Sequence, residues 1–340
     1  MKNLKLIDKI IYLVNGLLAF VLLLSYVLPF VPPKSFALLS VLSLGVPFLI
    51  VINMLFLLYW LIKLKKQMLI SLLVLVIGYL SFGSLYKFSS SNNDVHDSQL
   101  DVMNFNVRLF NLYNWISEKG IETNIVDFLK DKSPDVLSIQ EYHPHENIDL
   151  SFFKYKYEKL SGRKTKYGQA IFSQYPIVNS GSVEFPETSN NAIFVDIVKA
   201  SDTIRIYNIH LQSLKIDTKV ELNQEDSERL LKRVEKTFEM QQEQTELFLT
   251  HKAQCPYKMV ICGDFNNTAF SYVYKEIKGE LEDAFKEAGN GFGRTYEFKF
   301  FPVRIDYIFY NSELELTSFK TFDNKLSDHY PIMARFKLHE

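Results

Sequence analysis

Five short motifs place polar side chains directly after apolar runs. They are NFNVR with Asn106, SIQE with Glu141, YNIHLQS with Asn208 and His210, GDFNN with Asp264 and Asn266, and SDHYP with Asp328 and His329. Such runs are typical of β-strands, which deliver the side chain that follows them to the rim of a sheet. One Asn or Asp after a strand is usually a turn residue or a helix cap. Five motifs together instead indicate one polar site.

These residue types can bind a cation and move protons. Carboxylate and amide oxygens are the ligands that Mg²⁺ prefers. Asp and His side chains can move protons. The motifs therefore indicate a site that combines metal binding with acid–base chemistry.

The elements around the motifs predict a layered α/β domain. Short β-like runs dominate after residue 100, with a helix near residues 121–130, a long polar helix over 221–252 and short helices around 272–288. In the long helix, one buried face is expected to hold Leu230, Val234, Phe238, Thr245 and Leu249. Its Glu, Lys and Gln residues are expected to face solvent.

The motifs resemble those of the endonuclease/exonuclease/phosphatase superfamily. Its members include DNase I-like nucleases, apurinic endonucleases, neutral sphingomyelinases and inositol-polyphosphate 5-phosphatases. The resemblance covers residues 100 to 338, and the pair GDFN and SDH, with RIDYIF between them, is its most specific part. It implies a four-layered sandwich of two mixed β-sheets flanked by helices, with the active site at one rim.

The resemblance also implies a metal site. Glu141 resembles the principal ligand of Mg²⁺ or Mn²⁺, assisted by Asn106 and Asp328. His143 and His145, in EYHPHEN, lack the spacing that converges on one ion, so a loop is expected there.

Catalytic roles follow from the same resemblance. Asp264 resembles the residue that orients or deprotonates the attacking water, and Asn266 the donor that holds a phosphate oxygen. His329 resembles the imidazole that contacts the phosphate, and Asp306 of RIDYIF the carboxylate that fixes and charges that ring. His210 occupies the place of a second histidine that bonds the phosphate or protonates the leaving oxygen.

Two features argue against double-stranded DNA as the substrate, and the first of them also argues against DNA repair. Apurinic endonucleases usually have an acidic residue two positions after the first motif Asn, where this chain has Arg108. The first 88 residues hold eight Lys and one acid, so residues 89–340 hold 30 basic and 38 acidic residues and a net charge of −8. A net-negative domain gains little from the counterion release that drives binding to nucleic acid.

The first quarter of the chain is a predicted membrane anchor. Stretches of 24, 28 and 20 residues without a charged side chain lie between Lys9 and Lys34, between Lys34 and Lys63, and between Lys66 and Lys87. About 20 apolar residues cross a bilayer as a helix, so three transmembrane helices are expected. A signal peptide is the alternative for the first stretch, but this stretch is long and two more follow it.

The lysines predict the orientation of this anchor. Six lysines flank the proposed cytoplasmic ends, whereas only Lys34 lies in the first loop. We therefore expect a multi-pass protein of a bacterial plasma (inner) membrane, with everything after Phe88 on the extracytoplasmic side. The expected organisation is an anchor with three transmembrane helices over residues 1–88, a linker over 89–99 and a catalytic domain over 100–340.

The sequence thus predicts a metal-dependent phosphodiesterase or phosphatase that acts on lipid head groups or small phosphoesters. The alternatives are an extracellular endonuclease or exonuclease, and a non-catalytic binding module on the same fold. The chain has two cysteines, Cys255 and Cys262, so no disulfide framework is implied. Cys262 is expected to pack as a small apolar residue.

Overall fold

The computed structural model of the chain describes residues 4–83, 85–88, 99–163, 165–215, 224–298 and 301–338. The predicted linker lies outside these residues except for Gln99, which begins the first strand. The α-helices of the described residues are α1 Leu6–Ser25, α2 Ala37–Val41, α3 Val46–Ile62, α4 Met68–Phe82, α5 Ile121–Lys132, α6 Gln224–Lys252, α7 Tyr272–Lys278 and α8 Ala284–Ala288.

The strands form two six-stranded sheets and one small hairpin. They are β1 Gln99–Asn106, β2 Val136–Tyr142, β3 Tyr155–Ser161, β4 Tyr167–Ser173, β5 Ile177–Glu184, β6 Asn191–Lys199, β7 Asp202–His210, β8 Lys258–Asp264, β9 Glu282–Asp283, β10 Tyr296–Phe298, β11 Phe301–Val303, β12 Asp306–Tyr310, β13 Glu315–Thr321 and β14 Ile332–Lys337. Sheet A has the order β13-β14-β1-β2-β4-β3, sheet B has the order β5-β6-β7-β8-β12-β9, and β10 pairs with β11. Both sheets are mixed, because β1–β2 and β7–β8 are parallel while their other neighbours are antiparallel.

Strand alternation places the core in four layers. In β1, Leu100 and Val102 pack between the two sheets, whereas Met103 and Phe105 point to the opposite face of sheet A, where α5 packs. Helices α6 and α7 cover the outer face of sheet B. The predicted α/β sandwich of two mixed sheets flanked by helices is therefore confirmed. Cys262 is fully buried in the core between the sheets, as expected.

The N-terminal helices α1, α3 and α4 pack against one another. By length and composition, two helical segments of the described chain can cross a membrane, Leu6–Phe30 and Ala37–Ile62. The third predicted span, α4, has 15 residues and is about 22 Å long, shorter than the roughly 30 Å of a hydrocarbon core. Helix length therefore leaves the prediction of three transmembrane helices unconfirmed.

The bundle formed by these three helices buries polar side chains and exposes apolar ones. Asn15, Asn53 and Ser71 are fully buried between them. Asn15 donates to Ser71 Oγ at 2.6 Å and accepts from Trp60 Nε1 at 2.9 Å. Many outward-facing side chains are leucines, including Leu13, which is 74% exposed. Buried polar groups with an apolar exterior are typical of helices that pack in lipid.

One end of this helical bundle lies against the α/β sandwich. Lys34, in the loop after α1, forms an ion pair of 2.8 Å with Glu246 of α6, and Thr268 Oγ1 donates to the carbonyl of Ser43. The rings of Phe48 and Phe301 stack with centroids 4.0 Å apart. The Lys63–Lys66 turn lies at the opposite end of the bundle, where Lys63 pairs with Asp8 near the start of α1.

Candidate active site

The polar side chains of the site continue the inward-facing rows of the strands. In β1 the row of Leu100 and Val102 continues, two residues at a time, with Asn104 and Asn106. The same alternation leads in β8 from Val260 and Cys262 to Asp264, and in β7 from Ile204 and Ile206 to Asn208 and His210. Each row changes from apolar to polar at the carboxyl end of its strand. The site therefore lies at one rim of the gap between the sheets.

Strand pairing brings these side chains together. The β7–β8 pair aligns His210 with Asp264, and the β8–β12 pair aligns Asp264 with Asp306. Sheet B therefore presents three site residues side by side. Sheet A contributes Asn106 from β1 and Glu141 from β2, two parallel strands whose carboxyl ends share the same rim.

Glu141 reaches the site through a break in the strand pattern. Strict alternation would send its side chain outward with Ile139, toward α5. The β2–β4 pairing shifts register between Ile139 and Tyr142, and Glu141 has a left-handed φ of 50°. A bulge of this kind re-aims a side chain, and such strained residues concentrate at functional sites.

His329 lies between two carboxylates. Its Nδ1 is 2.9 Å from Oδ2 of Asp306, and its Nε2 is 3.7 Å from Oδ2 of Asp264. Burial lowers the pKa of His329, but the carboxylates of Asp306 and Asp264 outweigh burial and raise it to about 10. The ring is therefore an imidazolium near neutral pH and donates from Nδ1 to Asp306.

Asp264 is held by two donors. It accepts a hydrogen bond of 3.0 Å from Asn106 Nδ2 and one of 2.8 Å from the backbone N–H of Asn266. Burial raises the pKa of Asp264, and His329 acts in the opposite direction. The amide of Asn266 itself donates to the carbonyl of Leu211 at 3.0 Å. In this arrangement Asn266 therefore orients Asp264 through its backbone rather than presenting its side chain to a phosphate.

His210 is buried beside Asp264 without a full hydrogen bond. Its Nε2 is 3.7 Å from Oδ2 of Asp264, and among the described residues it has no hydrogen-bond partner. Burial lowers the pKa of His210, so the ring is neutral near pH 7. A neutral imidazole with an unused nitrogen at the rim can bond a substrate oxygen.

Two of the three expected metal ligands, Asn106 and Asp328, contact other residues of the chain in this structure. Asn106 Nδ2 lies 3.5 Å from Glu141 Oε1, and its Oδ1 accepts from the backbone of Arg108, so its amide oxygen faces away from the carboxylates. Asp328 forms an ion pair of 2.8 Å with Arg108. The guanidinium of Arg108 also lies 4.4 Å from the ring centre of Trp115.

The donor set suits a divalent cation. Burial raises the pKa of Glu141, and within the described parts of the chain this carboxylate forms no ion pair. A half-buried carboxylate without an ion-pair partner is costly, and a cation would reduce that cost. Asp264 and Asp306 also offer carboxylate oxygens within 4.8 Å of each other, and Asp306 Oδ1 has no partner among the described groups. Carboxylate oxygens dominate both sets, as Mg²⁺ and Mn²⁺ require.

Buried amides around the site were not predicted. Gln241 of α6 donates to the carbonyl of Gln212 and accepts from Asn267, both at 2.8 Å, and Gln244 accepts from the backbone of Gln212. The prediction that the Gln residues of this helix face solvent is therefore wrong for Gln241, Gln242 and Gln244, which are buried. The two loops that follow β7 and β8 are fixed through these amides.

A second set of amides joins the sheets. Asn208 Nδ2 donates to the carbonyl of Ile139 at 2.8 Å, and Gln140 Nε2 donates to Asn208 Oδ1 across the sheets and to Asn104 Oδ1 within sheet A. Asn208 stands in one of the sequence motifs, two residues before His210 on the same face of β7. We call Asn104, Gln140 and Asn208 the amide seam. His143 lies in the loop that follows β2, as expected, and its Nδ1 contacts the carbonyl of Lys166.

The site opens into a cleft of about 1460 Å³. Its lining includes Glu141, Asp264 and His329, and it also includes Phe48 and Phe301. The cleft therefore has a charged part within the α/β sandwich and an apolar part at the junction with the N-terminal helices.

Solved structures similar to this chain have the same fold. An endonuclease/exonuclease/phosphatase from Beutenbergia cavernae has a TM-score of 0.55 and 18% identity over 71% of this chain and 72% of its own. The human Nocturnin catalytic domain with bound sulfate anion has a TM-score of 0.54 and 18% identity over 72% and 95% of the two chains. D. rerio TDP2 complexed with single strand DNA product has a TM-score of 0.52 and 16% identity over 71% and 100%.

Family models match both parts of the chain. Residues 8–85 match a model described as a domain of unknown function (DUF8431), and residues 103–329 match the model described as Endonuclease/Exonuclease/phosphatase family. No curated protein sequence matches the chain. The second match contains the motif residues from Asn106 to His329 and most of both sheets. The chain therefore belongs to the endonuclease/exonuclease/phosphatase family.

Proposed function

We propose that this protein is a divalent-metal-dependent phosphoester hydrolase, held at a membrane by its N-terminal helices, whose substrates are lipid head groups or small phosphoesters. Family members are hydrolases that act on phosphoester bonds. The observation that carries the proposal is the grouping of Glu141, Asp264 and His329 in the lining of one cleft, with Asp306 bonded to His329. Because all of these groups are in place, a non-catalytic binding module is disfavoured.

Each residue has a distinct role in the proposed mechanism. Asp264 takes the proton of the attacking water, since its raised pKa makes it a better base than an ordinary carboxylate. His329, kept positive by Asp306, stabilises the charge that develops on the phosphoryl oxygens. Neutral His210 bonds the oxygen of the leaving group, and Asn266 fixes the direction of Asp264.

The metal would be held principally by Glu141. Asn106 would join it after a turn of its amide, and Asp328 after release from Arg108. A bound Mg²⁺ or Mn²⁺ supplies positive charge that polarises the phosphoester and lowers the barrier to in-line attack.

We further propose that α1, α3 and α4 span the membrane as one bundle. The buried amides of Asn15 and Asn53 and the outward-facing leucines support this arrangement, since lipid rewards an apolar exterior. The catalytic domain contacts the end of the bundle opposite the Lys63–Lys66 turn, which supports an extracytoplasmic active site under the positive-inside rule.

The proposal is tested with the full chain in lipid nanodiscs. We expect hydrolysis of phosphodiester or phosphomonoester substrates with Mg²⁺, and its loss in excess EDTA. Full turnover in excess EDTA would contradict the metal mechanism. Plasmid DNA serves as the competing substrate: nicking that is faster than hydrolysis of any phospholipid or sugar phosphate, and that falls steeply with salt, would favour a nuclease instead.

A further inference from the structure

One wall of the catalytic cleft has no role in the chemistry. It is apolar and comes from two distant parts of the chain: Phe48 and Val51 of α3, and Phe301 of the β10–β11 hairpin. The stacked rings of Phe48 and Phe301, with centroids 4.0 Å apart, make this wall continuous across the junction. We call these three residues the aromatic wall.

The aromatic wall continues along the outside of the helical bundle. Phe48, Val51, Leu55 and Leu58 are separated by three, four and three residues, so they share one face of α3. All four are exposed, Leu55 by 61%. In a membrane bundle such a face contacts hydrocarbon. The apolar part of the cleft therefore leads directly to the lipid that would surround the bundle.

The β10–β11 hairpin also connects this wall to the loop that carries His329. The backbone N–H of Glu297 donates to the carbonyl of Asp328, and that of Tyr330 donates to the carbonyl of Thr295, both at 2.8 Å. The ring of Tyr296 lies 4.9 Å from that of His329. An apolar part of a substrate that packs on Phe301 is thus held at a fixed position relative to the imidazolium of His329.

From this continuity we infer that the substrate is an amphiphilic phosphoester taken from the bilayer. This inference rests on the proposed function and specifies its substrate class. The phosphate lies at Asp264 and His329, and one hydrocarbon chain lies on the aromatic wall. The cleft of about 1460 Å³ exceeds the roughly 300–1,000 Å³ typical of sites for compact ligands, as an elongated substrate requires. A sugar phosphate would leave the apolar wall uncovered.

The test compares substrates that differ only in chain length. The full chain in nanodiscs with Mg²⁺ is given p-nitrophenyl octyl phosphate or p-nitrophenyl methyl phosphate as diesters, and octyl phosphate or methyl phosphate as monoesters. The readout is the ratio of kcat/KM for the octyl compound to that for the methyl compound. For the class of ester that is hydrolysed, we expect a ratio on the order of ten or more in the wild type, because apolar pockets discriminate by such factors.

Variants separate the aromatic wall from simple partitioning into lipid. Phe301→Ala and Phe48→Ala should each lower the ratio on the order of tenfold, whereas Phe301→Leu should keep most of it. The matched control is Phe20→Ala: Phe20 is 56% exposed on α1 and does not line the cleft. Substrate should partition into the nanodisc equally with this variant and with the wild type, so Phe20→Ala should keep the wild-type ratio.

The possible failures are distinguishable. Absence of Mg²⁺-dependent hydrolysis for all four compounds would contradict the proposed function itself. Hydrolysis of the methyl compound with a ratio near one would contradict only the amphiphilic substrate. A high ratio that survives in both Phe→Ala variants would likewise remove the aromatic wall from substrate binding.

Discussion

Asp306 accepts a hydrogen bond of 2.9 Å from Nδ1 of His329, whose other nitrogen lies 3.7 Å from Asp264. Each carboxylate favours the charged imidazole, and together they outweigh burial. The ring is therefore fixed in direction by one acid and faces the other. This relationship makes the protonation of His329, and so the pH range of activity, depend on Asp306.

Replacing Asp306 by Asn should move the alkaline limit of activity to lower pH. Catalysis needs the protonated ring, which wild-type His329 keeps up to its raised pKa of about 10. Without the Asp306 charge this pKa should fall toward its ordinary value of about 6.5, so activity should be lost as pH rises through the neutral range. Profiles of kcat and kcat/KM against pH measure the shift.

The matched control for this variant is Asp323→Asn, which alters an exposed carboxylate that pairs with Arg294. It should keep the wild-type profile. An unchanged alkaline limit in Asp306→Asn would show that Asp306 does not set the charge of the ring.

Glu141→Gln should lower kcat by on the order of 10² at limiting Mg²⁺ and raise the Mg²⁺ concentration needed for half-maximal activity. The amide has the same shape but lacks the negative charge that a hard cation prefers. A Mg²⁺ titration of activity and calorimetric binding of Mn²⁺ measure the two effects. Glu146→Gln changes an exposed carboxylate in the loop after β2 and should behave as wild type. Normal turnover of Glu141→Gln at limiting Mg²⁺ would remove Glu141 from the metal site.

Asp264→Asn should lower kcat by on the order of 10² or more, because the amide cannot accept the proton of the attacking water. Asn can still accept the hydrogen bond from the backbone of Asn266, so the fold should persist, as circular dichroism would report. Asp202→Asn, which affects an ion pair with Lys258 far from the site, is the control. If Asp264→Asn retained wild-type turnover, another group would have to be the base.

The orientation of the anchor predicts where fused reporters work. A reporter that functions only in the cytoplasm should be inactive when joined after Glu340. The same reporter should be active when the chain is cut and joined after Lys65, in the lysine-rich turn. Cytoplasmic activity of the Glu340 fusion would reverse the proposed topology.

Asn15→Leu should weaken the helical bundle by about 1 kcal/mol, the usual scale for a hydrogen bond between helices in lipid. The variant loses the bonds to Ser71 and Trp60. Unfolding of the full chain in mixed micelles, followed by Trp fluorescence, measures the change. Leu17→Ala, on the exposed face of α1, is the comparison and should have a smaller effect. Equal stability of Asn15→Leu and wild type would show that the buried amides do not hold the helices together.

Strand periodicity accounts for the part of the site that the sequence predicts well. Asn106, Asp264 and Asp306 continue or begin inward-facing rows, so their motifs predict a common rim. Glu141 is different, because its side chain faces the site only through a bulge that the letters SIQEY do not specify. The prediction of Glu141 as a metal ligand rests on family resemblance rather than on periodicity.

Other features depend on contacts between distant parts of the chain. The ion pair of Arg108 and Asp328 exists because β14 lies beside β1, a pairing that local patterns do not contain. Gln241 looks like any surface residue of a polar helix, and only the fold brings the loop at Gln212 against it. For the same reason, the contact between Phe48 and Phe301 could not be predicted from either segment alone.

The position of β14 bears on how the protein is made. This strand is translated after all the other described strands, yet in sheet A it lies between β13 and β1, and the segment before it carries His329. A nascent chain can therefore form its N-terminal helices and much of sheet B while His329 is still in the ribosome. In the proposed membrane topology such a chain would be anchored before its site is complete, so ribosomes that stall early would release anchored but inactive products.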